Sequence, residues 1–288
     1  MWNDAIMPQL KTSKNLPETA LSLLGFFVAL FSAGIGIGGG TIFVSTFISV
    51  FKFDFKRAAA TSLAAIIPIT FAGAVSHLFI FSNPPSGKYF LVFIPMCILG
   101  TIIGSKFIHK WNNQWLKWIF AVFLLIASLR ILKFADFPFL MFSSLNEISW
   151  THEAIFIMAF GIITGIIATW LGIGCGLLIV PFFVIVMDFN MHQAICLSLT
   201  TMFFLTTSAT LMHHKLANLN LKVFKALFLP SLAGAVTGSA ISGLLPGFYL
   251  KQAFGIILMM IAFTYLLQPT FKAIKIRKKK RESLYKEI

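Results

Sequence analysis

The stretch AGIGIGGG, residues 33–40, decides how this chain folds. Gly34, Gly36 and Gly39 match the G-x-G-x-x-G spacing of a dinucleotide loop, a motif that needs a strand before it and a solvated βαβ unit around it. The flanks supply neither, because they are apolar on both sides. From Pro17 to Phe51 the chain runs 35 residues. As one straight helix at ~1.5 Å per residue this would exceed ~50 Å, far more than a hydrocarbon core of ~30 Å. With glycines in the middle, the spacing predicts helix, break, helix: a hairpin that enters a membrane and comes back, either re-entrant or fully crossing.

The composition agrees. Of 288 residues 58% are hydrophobic and 11% charged, where an ordinary soluble domain has roughly a quarter charged. Apolar runs of about 17 to 25 residues recur along the chain, each long enough to cross as a helix, so the fold class is an all-α polytopic membrane protein. A membrane β-barrel would show alternating apolar and polar residues instead. Cys97, Cys175 and Cys196 lie in apolar segments without metal or redox spacing, and read as packing residues. The polar start MWNDAIMPQLKTSKNLPE leads directly into an apolar segment, so the first helix doubles as the insertion signal. The net charge of +14 sits largely in the tail KAIKIRKKKRESLYKEI and in short loops. That placement marks a topology determinant beside the anionic lipid of the bilayer and gives no reason to expect nucleic acid as a partner.

The glycine cluster recurs. A shift of 136 aligns residues 25–77 with 161–213 without a gap, and 14 of 53 positions are identical. They include Gly36/Gly172, Gly38/Gly174, Gly40/Gly176, Ser62/Ser198, Thr70/Thr206 and His77/His213. At a shift of 134, GTIIG (100–104) matches GAVTG (234–238). The chain therefore divides into a cytoplasmic N-terminus (1–16), a first transmembrane repeat (17–134), a linker (135–150), a second repeat (151–268) and a basic cytoplasmic tail (269–288). Each repeat reads as a glycine-broken hairpin plus three helices, near 57–81, 89–108 and 114–133, then 192–213, 221–245 and 249–268. This makes about eight to ten membrane segments in all.

Basic residues set the orientation. In half one they follow the hairpin (Lys52, Lys56, Arg57) and lie between the last two helices (Lys106, Lys110, Lys117). In half two none follows the hairpin, and Lys215, Lys222 and Lys225 come one connection later. By the positive-inside rule both termini are cytoplasmic and the halves are inverted; Arg130 and Lys133 are the one mismatch. Inverted repeats with interrupted helices are the architecture of secondary transporters, with the site near the midplane at the breaks.

A break in the membrane is tolerated where protein or a wet cavity satisfies its backbone groups. If the second half-helices begin near Gly39–Thr41 and Cys175–Leu177, their free N–H groups and positive dipole ends can hold an anion. The expected substrate-binding set is Gly36, Gly38, Gly39, Gly40 and Thr41 with Gly172, Gly174, Cys175 and Gly176, joined by the hydroxyl pairs Ser62/Ser198 and Thr70/Thr206. Thr61, Thr200 and Thr201 are further hydroxyl candidates on the helix after each hairpin. The glycines of GTIIG and GAVTG read as helix-packing residues. His77, His213 and His214 sit near helix ends, where an interfacial position is expected; the pairing of His77 with His213 also permits a proton or anion contact. All nine Asp and Glu residues fall at segment ends, loops or tails, so the buried carboxylate of a cation or proton pump is missing and an anionic or neutral substrate is favoured.

GIGIGGGTIFVS followed by RAAATSLAAIIPITFAGAVSHL, and LGIGCGLLIVPFF followed by HQAICLSLTTMFFLTTSATLMHH, resemble the paired signatures of the TauE/SafE sulfite exporter family, also called toluene sulfonate uptake permeases. The likeness runs from about residue 20 to 268, with Ser45 where the family pattern has a proline and Cys175 where it has a glycine. The resemblance implies movement of small, often sulfur-containing anions (sulfite, sulfonate or sulfoacetate type) across the cytoplasmic membrane. The expectation is a carrier working by alternating access, neither an enzyme nor dependent on a cofactor. An anion channel of the same fold is the alternative, followed by a membrane-embedded metalloenzyme using His77, His213 and His214. A nucleotide-driven pump has no Walker sequence to support it.

Overall fold

The computed structural model describes residues 18–80, 84–107, 113–133, 150–215 and 220–284. The expected N-terminal segment 1–16, and the linker apart from Trp150, lie outside the described residues. Ten helices and no strand occur among the described residues. They are α1 (Glu18–Ile35), α2 (Gly40–Ser49), α3 (Phe55–Ile80), α4 (Gly87–Phe107), α5 (Asn113–Ile131), α6 (Trp150–Leu171), α7 (Gly176–Ile185), α8 (Met191–Lys215), α9 (Leu221–Leu244) and α10 (Gly247–Leu284). Each expected segment corresponds to one helix. The exception in extent is α10, which continues past residue 268 into the basic run, where Lys and Arg are good helix formers.

Seven of these helices are long and apolar enough to cross a membrane. The limbs α2 and α7 have ten residues each, so each covers ~15 Å, about half of a hydrocarbon core. Neither limb is long enough for a full crossing by itself. Helix starts are chemically matched across the halves. The Asp54 carboxylate accepts from the Arg57 N–H (3.4 Å) at the start of α3, and the equivalent Asn190 accepts from the Gln193 N–H (2.9 Å) at the start of α8.

The halves are interwoven. α1 lies along α9 and α6 along α4, so the first helix of each half packs on the fourth of the other. α3 lies against α8 and α5 against α10, while α2 rests on α3 and α7 on α8. Small residues permit the closest crossings: a Cβ at Gly234 or Gly238 would strike the carbonyls of Phe26 or Leu30 in α1, and a Cβ at Gly100 would strike that of Ile162 in α6. The GTIIG and GAVTG glycines are therefore packing residues, as expected. No Asp, Glu, Lys or Arg is buried among the described residues, and large apolar side chains such as Phe79, Leu91 and Leu229 project from the outer faces.

Candidate functional site

The two breaks share one backbone conformation. Left-handed φ angles at Gly36 (81°), Gly38 (81°) and Gly39 (76°) recur at Gly172 (70°), Gly174 (74°) and Cys175 (62°). The likeness continues beyond each limb, where Lys52 (56°) and Asp188 (53°) are both left-handed and Phe53 and Phe189 donate to the carbonyls of Phe47 and Phe183 at 3.1 and 2.9 Å. In half one the turn closes when the N–H groups of Gly36 and Ile37 both donate to the Ser32 carbonyl, at 2.9 and 3.0 Å. Gly39 then doubles back against α1, so that a Cβ there would lie 2.6 Å from Val28 Cγ1 and 2.8 Å from Ser32 Oγ. Cys175 holds the same conformation with a side chain. At the positions equivalent to Val28 and Ser32, α6 carries Thr164 and Ala168, and the alanine gives up the hydroxyl that would crowd a thiol.

The breaks interlock. A Cβ at Gly40 would lie 2.5 Å from the Cα and carbonyl oxygen of Ile173, and one at Gly176 would strike the carbonyl oxygen of Gly36. Gly38 and Gly174 both face the side chains of Met202 and Ile66. The glycines of the expected set thus meet at one locus beside α3 and α8, apart from Gly39, which packs on α1. The first hydrogen bond of α2 runs from Phe43 N–H to the Gly39 carbonyl, and those of α7 run from Leu178 and Ile179 to Cys175. The N–H groups before them have no partner within their own helices, so two positive helix ends face each other's backbone.

The hydroxyls divide into two kinds. Ser62 Oγ donates to the Gly40 carbonyl (3.2 Å), and Ser198 Oγ crosses between the halves to the Gly36 carbonyl (2.9 Å). Both therefore brace the first break. Thr70 donates to the Ile66 and Ile67 carbonyls at 3.0 and 3.1 Å, and Thr206 to Met202 at 2.7 Å, so this pair is occupied by its own helices. Thr200 is engaged with Cys196 (2.8 Å), and Thr61 accepts from Asn220 N–H (3.3 Å). Thr41 and Thr201 are different, because each has a buried hydroxyl without a hydrogen-bond partner.

His77, expected near a helix end, falls in the last turn of α3. It is fully buried, and its Nε2–H donates to the Ala33 carbonyl at 3.2 Å, tying α3 to the end of α1 beside the break. The backbone of His213 belongs to α8, while its side chain and that of His214 lie outside the described residues. Among the described residues no three His, Cys, Asp or Glu side chains come together as metal ligands would. One anchor was not singled out in the sequence: Trp170 Nε1–H donates to the Gly104 carbonyl at 2.7 Å, pinning α6 to α4 just before the second break.

The sequence profile described as "Sulfite exporter TauE/SafE" matches residues 4–131 and 157–286. The chain belongs to the sulfite exporter TauE/SafE family. This is a family of membrane transporters, and its match covers both breaks and the helices between them apart from the start of α6. Among curated relatives, the chain is similar to "Sulfite exporter TauE/SafE family protein 1" of Arabidopsis thaliana, 29% identical over 126 residues, which is 41% of this chain and 28% of the relative. It is also similar to "Probable membrane transporter protein YunE" of Bacillus subtilis (strain 168), 27% identical over 109 residues, 38% of this chain and 39% of the relative. The aligned stretches thus span well under half the length of either relative. No solved structure gives a significant match to the chain.

Proposed function

We propose that this chain is a secondary carrier of small anions, sulfur-containing ones such as sulfite, sulfonates or sulfoacetate, working by alternating access in the cell membrane. The reading rests on one observation: two helices, α2 and α7, begin at a single interior locus, with glycine backbone, N–H groups that their own helices do not use and no carboxylate. The substrate lies between the two starts. Gly36, Gly38, Gly39, Gly40 and Thr41 line it from one side, and Gly172, Gly174, Cys175 and Gly176 from the other. Ser62 and Ser198 hold the first break in shape, Thr70 and Thr206 serve their helices, and His77 fastens α3 to α1.

The halves are inverted in the membrane, both termini face the cytoplasm, and the basic loops set that topology. The α5–α10 pair supplies the asymmetry that alternating access needs. Its residues Leu124, Ala127, Leu258 and Ala262 belong to the apolar cluster around α7, whereas the cluster around α2 contains none from either helix. In the opposite-facing state the pair moves to cover α2 and uncovers α7.

Thermal-shift screening of the purified protein against sulfite, sulfoacetate, taurine, thiosulfate and aryl sulfonates tests the substrate class, with stabilisation by at least one anion expected. If none stabilises it, the anion reading falls. Conductance far above carrier turnover would replace the carrier with a channel. Single cysteines at Asp54 and Asp188 should label from opposite faces of the membrane; labelling from the same face would end the inverted arrangement.

A further inference from the structure

Each half acts as a control for the other. In the segment that repeats without a gap, the paired hydroxyls are all satisfied within the protein: Ser62 and Ser198 on carbonyls of the first break, Thr70 and Thr206 on their own helices. The buried hydroxyls without a partner in that segment are Thr41, Thr164, Thr201 and Thr210. None of them is repeated. Their counterparts 136 residues away are Leu177, Val28, Ala65 and Ala74, every one apolar. The fold therefore accepts an apolar side chain at each of these places and does not need the hydroxyl for its construction. A buried hydroxyl left unpaired is unfavourable, and each one calls for an explanation.

Two of the four border the interlocked breaks. Thr41, 7% exposed, is the second residue of α2 and follows the glycine that abuts Ile173. Thr201 is fully buried on α8, one turn after Ser198, which reaches the Gly36 carbonyl. It also precedes Met202, whose sulfur would meet a Cβ at Gly38 at 2.9 Å. On the same helix Thr200, Thr206, Thr207 and Ser208 all donate back to carbonyls three or four residues earlier, an outlet that Thr201 does not use.

We propose that Thr201 is a substrate-binding residue, which donates together with Thr41 to the oxygens of the transported anion and holds it toward α2 instead of midway between the halves. An oxyanion offers the acceptor that both hydroxyls lack, and a hydroxyl rotor can follow it as the halves move. The inference rests on the anion-carrier reading and deepens it.

Sulfite titration of the purified full-length protein by calorimetry tests it, with wild type, T201V and T201S compared. Thr201→Val should raise the sulfite Kd about tenfold while leaving the thermal midpoint without sulfite unchanged or higher. Thr201→Ser, which keeps the donor, should stay close to wild type. Wild type binding sulfite with T201V binding equally well would overturn the role of Thr201 and leave the carrier reading intact. Loss of binding in T201V with a lower thermal midpoint and no rescue in T201S would mark a structural role and also overturn it. If wild type itself binds neither sulfite nor any other anion of the screen, the carrier reading falls and this inference with it.

Discussion

Every residue of α7 from Gly176 to Val184 is buried, whereas α2, its counterpart 136 residues earlier, leaves Ile42, Ser45, Ile48 and Ser49 exposed. The backbones entering the two limbs are alike, so the difference comes from side chains and neighbours. α5 lies against α7, which carries Leu177, Leu178 and Pro181 where α2 has Thr41, Ile42 and Ser45. One limb is sheathed in apolar side chains; the other keeps hydroxyls and an open face. A repeated backbone thus sets where the two helix starts meet, and unrepeated side chains make the two limbs differ.

The comparison breaks first if the interlock does not matter. Gly40→Val and Gly176→Val each push a side chain into the backbone of the other break, and a loss of ~3 kcal/mol or more is expected, seen as failure to recover monodisperse folded protein. A wild-type thermal midpoint in both variants would mean the breaks do not touch as described. Next, cysteines at Ser45 on α2 and Ile261 on α10 should form a disulfide in membranes and stop transport until reduced, because the opposite-facing state brings these helices together. Absence of any α2–α10 cross-link under oxidising conditions would contradict the movement of the α5–α10 pair.

A smaller effect separates the breaks directly. Gly39→Cys installs the residue of half two beside Val28 and Ser32, and should cost ~1–3 kcal/mol by crowding. Adding Val28→Thr and Ser32→Ala, the side chains that accompany Cys175, should recover most of it. Thermal unfolding reads both steps, and no recovery in the triple variant would show that the second break owes its cysteine to something else. The smallest effects belong to the hydroxyls with internal partners. Ser198→Ala should cost ~0.5–1.5 kcal/mol of stability, and Thr70→Val or Thr206→Val less than ~0.5, since a back-bonded hydroxyl adds little to a helix.

The hairpins, their breaks and the three helices after each were legible because they depend on length, glycine clustering and a gapless repeat, all properties of one dimension. The crossing glycines were legible as packing residues, but their partners were not: nothing along GAVTG names Phe26 and Leu30 as the backbone it approaches. The distance of His77 from its helix end was legible, but its partner was not: the Ala33 carbonyl comes from another helix, 44 residues away. The hydroxyls were the least legible. Thr70 and Thr201 look alike in sequence, and only the packing around each helix shows that one is satisfied and the other is not. Recurrence drew attention to Ser62/Ser198 and Thr70/Thr206, the hydroxyls the fold uses for itself.

Counterflow of radiolabelled sulfite in proteoliposomes, run side by side on wild type and Thr41→Val, tests the central claim most directly. An anion carried between the starts of α2 and α7 requires saturable, transient accumulation in wild type, with the sulfite concentration for half-maximal rate raised about tenfold in T41V. No accumulation above empty liposomes, or identical saturation curves for the two proteins, would contradict it.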